Sequence, residues 1–199
     1  MKSVAERAPT GRSKCRACGK AIARAELRLG ELVPNSFGEG ETTLWYHPTC
    51  AACSRPECAR AALDVSTEPI PEREGLEGII AHGLAHPRVQ RLARAERSVS
   101  GRAHCRRCKE TIALGAWRIA LHIFEEWRFA PLGYVHASCA APYFETNEVA
   151  PRLARLCPDL SAEDLAEIDA LVRSAPSDAP GLAKTTGGEP EPEAKQKNH

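Results

Sequence analysis

The stretch Gly101-Arg102-Ala103-His104-Cys105-Arg106-Arg107-Cys108, closed further on by His136-Ala137-Ser138-Cys139, decides the fold of this 199-residue chain. Two thiols three positions apart precede a histidine and a thiol that are also three positions apart, and 27 residues separate the two pairs. Thiolate and imidazole ligands in a set of four suit a tetrahedral zinc ion, and a set with no open position is structural rather than catalytic. The stretch therefore predicts a structural zinc site made by Cys105, Cys108, His136 and Cys139.

The same arrangement occurs once earlier in the chain. Its ligands are two pairs with 28 residues between them, Cys15 with Cys18 and His47 with Cys50. Flanking residues repeat as well, at an offset of 90 before the middle loop and 89 after it. A two-copy period of this length is too long for a solenoid repeat and predicts tandem domains. Because a four-ligand spacing that occurs twice is a strong signal, we predict two zinc ions per chain.

The use of cysteine predicts a reducing compartment. Nine cysteines, six of them in the two ligand sets, fit metal ligation better than a disulfide framework. No apolar run approaches the roughly 20 residues of a membrane span, and the first residues do not resemble a signal peptide. We expect an intracellular protein of the nucleus, or of a bacterial nucleoid or cytoplasm, with no membrane partner. The remaining Cys53, Cys58 and Cys157 are interpreted as small buried residues, and the alternative for Cys53 is a substitute metal ligand.

The predicted fold class is small α+β, with two zinc-stabilised modules in tandem. Alternating apolar residues predict strands at 27–33 and 117–123, which belong to a short antiparallel sheet between the ligand pairs. Helical patterns follow at 51–63 and 160–172, the latter with Ser161 as N-cap and Asp164 three residues on. Units of this size bury little surface, so metal is a common supplement. We predict modules at 1–92 and 93–173, and a disordered tail at 174–199.

The charges are distributed unevenly although the formal net charge is only +1. Residues 1–20 hold six basic side chains against one acidic, and residues 88–109 hold eight against one. Residues 145–169 reverse this, with seven acidic side chains against two arginines. Each basic block leads into a zinc ligand pair, which is the distribution expected if a polyanion approaches the modules from that side.

The spacing of the ligands and of the nearby arginines resembles that of a known family. The pattern is Gly-Arg-x-x-Cys-x2-Cys, an Arg ten residues after the second Cys, and His-x2-Cys about thirty residues after that same Cys. It resembles the PARP-type zinc finger, which is named for poly(ADP-ribose) polymerase and is also found on a DNA ligase. The likeness covers residues 5–60 and 95–172. Fingers of this type recognise DNA strand breaks and ends, largely without sequence preference.

The resemblance also implies roles for individual residues. The arginines that would meet phosphate are Arg12, Arg28, Arg102 and Arg118, since guanidinium groups offer forked donors to phosphate oxygens. The apolar residues that would stack on exposed bases lie at the tips of the loops between the ligand pairs: Trp127, Phe129 and Leu132 in the second copy, Phe37 and Leu44 in the first. Glu39 and Glu41 in the first tip would be repelled by phosphate, which argues against stacking there.

These observations predict a non-enzymatic DNA-binding protein. Its expected partners are DNA with nicks, gaps or ends, and a repair enzyme acting in trans, so that the protein serves as a sensor or adaptor of DNA damage. No small-molecule substrate is expected, and four protein ligands per site argue against a zinc hydrolase. Two alternatives stay open. One is a protein-interaction scaffold that docks through 145–169, and the other is an RNA-binding zinc module, because stacking and phosphate contacts do not discriminate sugars.

Overall fold

The computed structural model describes residues 2–35 and 38–174. Within this part the chain forms two modules of the same plan, each with a three-stranded antiparallel sheet, a cluster of three cysteines and a histidine, and helices after the second ligand pair. The predicted α+β class is therefore confirmed. Of the predicted tail, all but Ser174 lies outside the described residues. No helix among the described residues is long and apolar enough to cross a membrane.

The first module begins with its sheet. The strands are β1 (Ser3–Arg7), β2 (Leu27–Pro34) and β3 (Glu41–Tyr46), with β2 in the centre. Three helices follow: α1 (Pro48–Ser54), α2 (Pro56–Val65) and α3 (Arg73–Ala85). The strand predicted at 27–33 is confirmed. The helix predicted at 51–63 is two helices, because the backbone turns at Arg55 and a proline then starts α2.

The second module follows a 3-10 helix (Pro87–Arg91). Its strands are β4 (Leu92–Arg97), β5 (Trp117–Glu125) and β6 (Arg128–His136), with β5 in the centre. After a 3-10 turn (Ala137–Cys139) come α4 (Ala140–Phe144), α5 (Ala150–Leu156) and α6 (Ala162–Arg173). The strand at 117–123 and the terminal helix are confirmed, and Ser161 and Asp164 form a complete capping box.

The helix α3, like α4 and α5, had no counterpart among the sequence predictions. It holds three glycines, which weaken the helical signal. It forms nevertheless because Leu76 and Ile80, one turn apart, bury their side chains in the first hydrophobic core. Burial in tertiary structure here outweighs a poor intrinsic propensity.

A single buried ion pair distinguishes the first core from the second. Glu31 of β2 is 1% exposed and accepts hydrogen bonds from Arg55 at 2.6 and 3.1 Å. At the repeat-related positions the second module has Leu121 and Phe144, both buried in its core. Equivalent positions are thus filled by an ion pair in the first core and by apolar side chains in the second.

The modules pack against each other through the end of the β5–β6 hairpin. Phe129 of β6 packs against the first core, and the Arg55 guanidinium lies 4.1 Å from the ring centre of Phe124. The Arg16 guanidinium donates to the Trp127 carbonyl at 3.0 and 3.1 Å. A second set of contacts joins the helices, where buried Arg152 of α5 donates to the Cys53 carbonyl of α1. The two modules therefore meet through two separate sets of contacts.

Candidate zinc centres and nucleic-acid surface

The first candidate metal centre brings together Cys15, Cys18, His47 and Cys50, as the sequence spacing predicts. Their ligand atoms all lie within 4.8 Å of one another. Nδ1 of His47 lies 3.4 Å from the Cys18 sulfur and 3.8 Å from that of Cys50. The opposite ring nitrogen, Nε2, donates to the Ala21 carbonyl at 3.2 Å. That hydrogen bond orients the ring so that Nδ1 presents its lone pair to the thiols.

The second centre repeats this geometry with Cys105, Cys108, His136 and Cys139. Nδ1 of His136 lies 3.4 Å from the Cys108 sulfur and 3.9 Å from that of Cys139. Nε2 donates to the Thr111 carbonyl at 3.3 Å. In both centres the histidine backbone N–H also donates to the sulfur of the first cysteine, at 3.5 Å and 3.4 Å.

The distances within each cluster fit one tetrahedral zinc ion. Zn–S bonds of about 2.3 Å and Zn–N bonds of about 2.0–2.1 Å place sulfur and nitrogen ligands about 3.5–3.6 Å apart at the tetrahedral angle. The four sulfur to Nδ1 distances, 3.4 to 3.9 Å, scatter around that value. Each cluster can therefore hold one zinc ion, for two per chain, and a full set of four protein ligands makes the role structural.

The surroundings favour the metal-binding, deprotonated form of one thiol in each centre. The hydrogen bond from Cys50, together with contacts to the backbone of Cys18, His47 and Ala17, lowers the pKa of Cys15 to about 4. The equivalent contacts lower the pKa of Cys105 to about 4. Because thiolates rather than thiols bind zinc, these backbone donors prepare the first ligand of each set.

Two of the four predicted phosphate-binding arginines are open to solvent. Arg12 and Arg102 are exposed, each in the loop that leads into the first cysteine of its module. Within residues 2–35 and 38–174, neither guanidinium makes a hydrogen bond or an ion pair. Their donors are available to a ligand, so phosphate contact by this pair remains a prediction with favourable geometry.

The other two, Arg28 and Arg118, lie in the sheets and are only 6% exposed each. Arg28 pairs with Glu6 and stacks 3.6 Å from the ring centre of Trp45. Arg118 pairs with Glu96 at 2.6 Å and stacks 3.8 Å from the ring centre of Tyr134. Phosphate contact by these two also stays a prediction.

The contacts of Arg28 and Arg118 leave limited donor capacity. Both guanidinium groups direct Nε and Nη2 at their carboxylate partners. Arg28 also donates from Nη1 to the Ser13 hydroxyl. Nη1 of Arg118 makes no hydrogen bond in the described part of the chain. Only an edge of each group is thus left for a phosphate, so we expect these arginines to stabilise the sheets as well.

The loop tip of the second module contacts the first module through Phe129 and the carbonyl of Trp127. Trp127, with φ 61°, forms the two-residue turn with Glu126, and its side chain is 37% exposed. Phe129 is half-buried, with its ring centre 4.9 Å from that of Phe124, and packs against the first core. Leu132 is half-buried against the second core. Of these three predicted stacking residues, Trp127 is the best placed to meet a base.

The loop tip of the first module gives weaker support for base stacking than that of the second. Leu44 is half-buried, packs against the first core and lines a groove with Trp127. Phe37 lies outside the described residues. Base stacking by either residue stays a prediction, and Leu44 would have to leave its core contacts to reach a base.

The acidic partners Glu6 and Glu96 were not among the site residues that the sequence predicts. Both belong to the repeated Ala-Glu-Arg segments at 5–7 and 95–97, so the repeat carried a usable signal. A buried arginine on the central strand needs a counter-charge, and its register places the glutamate of the neighbouring strand opposite it. No comparable pattern in the sequence predicts the contact between Arg16 and Trp127, because these residues are 111 positions apart.

Comparisons with known proteins agree with the resemblance. Residues 6–79 match the family described as "Poly(ADP-ribose) polymerase and DNA-Ligase Zn-finger region". Poly(ADP-ribose) polymerase 1 of Oryza sativa subsp. japonica is 30% identical over 142 residues, which cover 68% of this chain and 14% of that protein. The poly(ADP-ribose) polymerase of Drosophila melanogaster is 23% identical over 185 residues, which cover 80% of this chain and 18% of that protein.

A third relative, poly(ADP-ribose) polymerase 1 of Gallus gallus, is 27% identical over 134 residues, covering 58% of this chain and 13% of that protein. The chain thus spans less than a fifth of the length of each of these relatives. The family match confirms the resemblance of the first module to PARP-type zinc fingers. The second module repeats the ligand spacing and the ligand geometry of the first.

Proposed function

We propose that this chain binds DNA at strand breaks or ends, independently of sequence, through its two zinc modules. The observation that carries the proposal is the match of residues 6–79 to the zinc-finger region of poly(ADP-ribose) polymerases and DNA ligases, on a module with a complete Cys3His cluster. The internal repeat extends the same architecture to the second module.

The surface chemistry supports a phosphate ligand. Exposed Arg12 and Arg102 stand at equivalent positions beside rigid metal loops, and each belongs to a basic block of the sequence. A guanidinium carries forked donors that match phosphate oxygens, and those of Arg12 and Arg102 are not engaged within the described chain. Arg28 and Arg118 would add their free edges to the same phosphate track.

The proposed role is binding rather than catalysis by these two modules. Each cluster supplies four protein ligands, so a zinc ion held there has no open position for water or substrate. We propose that the chain marks DNA damage as a sensor or adaptor in the nucleus or nucleoid and that a repair enzyme acts in trans. Affinity capture on nicked DNA would test the last point, and recovery of no repair enzyme would contradict it.

A titration panel tests the binding proposal. Zinc-loaded protein is titrated against intact, nicked, gapped and single-stranded DNA of one sequence, and against RNA of the same sequence. We expect nicked and gapped duplex to bind at least about tenfold more tightly than intact duplex, which is about 1.4 kcal/mol. Equal affinity for intact and broken duplex would refute the proposal, and preference for RNA would favour the RNA-binding alternative.

A further inference from the structure

Two bulky aliphatic side chains stand in solvent on adjacent loops of the second module. Val99 is 78% exposed and Leu114 is 72% exposed, the highest values among the large apolar side chains that the structure describes. Their loops are joined by backbone hydrogen bonds, from the Ser98 N–H to the Ala116 carbonyl at 2.9 Å and from the Gly115 N–H to the Ser98 carbonyl at 2.8 Å. The two side chains therefore belong to one surface, which we name the Val99–Leu114 patch.

The loops that carry this patch are rigid. Ser98 is 2% exposed, and Gly101, with φ 59°, comes so close to Leu114 that a Cβ at Gly101 would lie 3.3 Å from its backbone nitrogen. Arg97 donates to the Gly115 carbonyl at 3.3 Å and stacks 4.2 Å from the ring centre of Trp117. Because these contacts hold the backbone without using Val99 or Leu114, the two side chains are left for an external contact.

A free positive charge adjoins the patch. Arg102 directly follows Gly101, is exposed, and has no side-chain partner among the described residues. Arg97, on the other flank, is neutralised by Glu167 at 2.6 Å. Exposed apolar side chains beside one unpaired guanidinium suit a DNA ligand. Apolar side chains can contact bases at an unstacked step while an arginine binds the neighbouring phosphate.

The two modules differ at this position. The repeat-related residues of the first module are Pro9 and Arg24 in place of Val99 and Leu114. The second module also uses Phe129, from the end of its hairpin, to pack on the first module. Val99, Leu114 and the tip residue Trp127 are thus exposed for an apolar contact to DNA, whereas Phe129 is not.

We propose that the Val99–Leu114 patch contacts the bases exposed at a DNA break while Arg102 binds the adjoining phosphate. The inference rests on the proposed function and adds a second-module contact surface to it. Leu114 and Val99 present their methyl groups to the open base step. The intact duplex offers no such step, so the patch gives preference for broken DNA and little affinity for closed DNA.

The test compares the full, zinc-loaded chain with its Val99→Ser/Leu114→Ser double variant. The probe is a duplex with one nick and 2-aminopurine next to it, whose fluorescence rises when the base loses its stacking. The double variant should bind the nicked duplex about ten- to a hundredfold more weakly, because burial of the aliphatic side chains is lost, and it should give a smaller fluorescence rise. Its affinity for closed duplex and its thermal midpoint should be unchanged. The matched control is Val65→Ser, which removes a 62% exposed valine from α2 and should behave as wild type.

The outcomes separate this inference from the proposed function. If wild type prefers the nick and the double variant keeps the same preference and fluorescence, the patch is not a DNA contact. A loss of equal size on nicked and closed duplex also overturns the inference, because the patch would then contribute no selectivity for breaks. If wild type shows no preference for the nick, the proposed function and this inference both fail.

Discussion

Removing the two exposed arginines gives the sharpest prediction for phosphate binding. In the Arg12→Ala/Arg102→Ala variant both substitutions lie on the surface and break no hydrogen bond or ion pair of the described chain. The free energy of unfolding should therefore change by less than about 0.5 kcal/mol. DNA affinity should fall, because each guanidinium displaces counterions from one phosphate.

The salt dependence of DNA affinity follows from the number of arginine–phosphate contacts. If four arginines each neutralise one phosphate, the slope of log affinity against log salt is about −3.6, and affinity falls about 150-fold between 50 and 200 mM salt. The double variant should keep a slope of about −1.8, which is a fall of about 12-fold over the same range. Fluorescence anisotropy of labelled nicked duplex at four or five salt concentrations measures both slopes.

The Arg28→Ala/Arg118→Ala variant provides the contrast. It should lower the slope by a similar amount, but it should also lower stability, because each arginine pairs with a carboxylate and stacks on an aromatic ring. We expect a loss of about 1–3 kcal/mol per site, measured by chemical unfolding. An unchanged salt slope in the variant lacking Arg12 and Arg102 would refute the assignment of these residues to phosphate.

Three further predictions concern the folded state. Zinc analysis should find two ions per chain, and chelation should abolish cooperative unfolding together with DNA binding; a chelated chain that unfolds as before would exclude a structural role for metal. Glu31→Leu alone should cost about 3–5 kcal/mol because it leaves the half-buried guanidinium of Arg55, 17% exposed, without its partner. The double variant Glu31→Leu/Arg55→Phe copies the Leu121 and Phe144 of the second module and should recover most of that loss; no recovery in chemical unfolding would refute this. Burial lowers the pKa of His122, so stability should be full above its ordinary pKa of about 6.5 and fall as the pH drops below it. Chemical unfolding of the zinc-loaded His122→Gln variant at pH 7.5 and 5.5 should show a smaller loss than wild type; an equal loss would assign the pH dependence to other groups.

The parts of the molecule that the sequence predicts are those with local or repeated signals. Each cysteine pair sits in a loop whose backbone hydrogen bonds are local, from the N–H of Gly19 to the carbonyl of Cys15 in one copy and from Lys109 to Cys105 in the other. Spacing alone therefore predicts the ligand sets. Alternating apolar residues predict the central strands for the same reason, since one face of each strand must be buried.

The parts that sequence could not predict depend on contacts between distant segments. Arg16 lies in a loop that looks equivalent to that of Arg106, yet Arg106 donates to Leu132 of its own module while Arg16 donates to Trp127 of the other. Phe129 looks like an exposed tip residue until the first module covers it. Such contacts follow from how the modules pack together, for which neither composition nor periodicity carries a signal.

One measurement tests the central proposal most directly. A relaxed, covalently closed circular duplex and the same circle after a single nick have identical sequence and length, and they differ only in one broken backbone bond and the terminal phosphate that it leaves. Zinc-loaded protein should bind the nicked circle at a single site with at least about tenfold higher affinity than any site on the closed circle. Equal affinity for the two circles would contradict recognition of DNA breaks by these zinc modules.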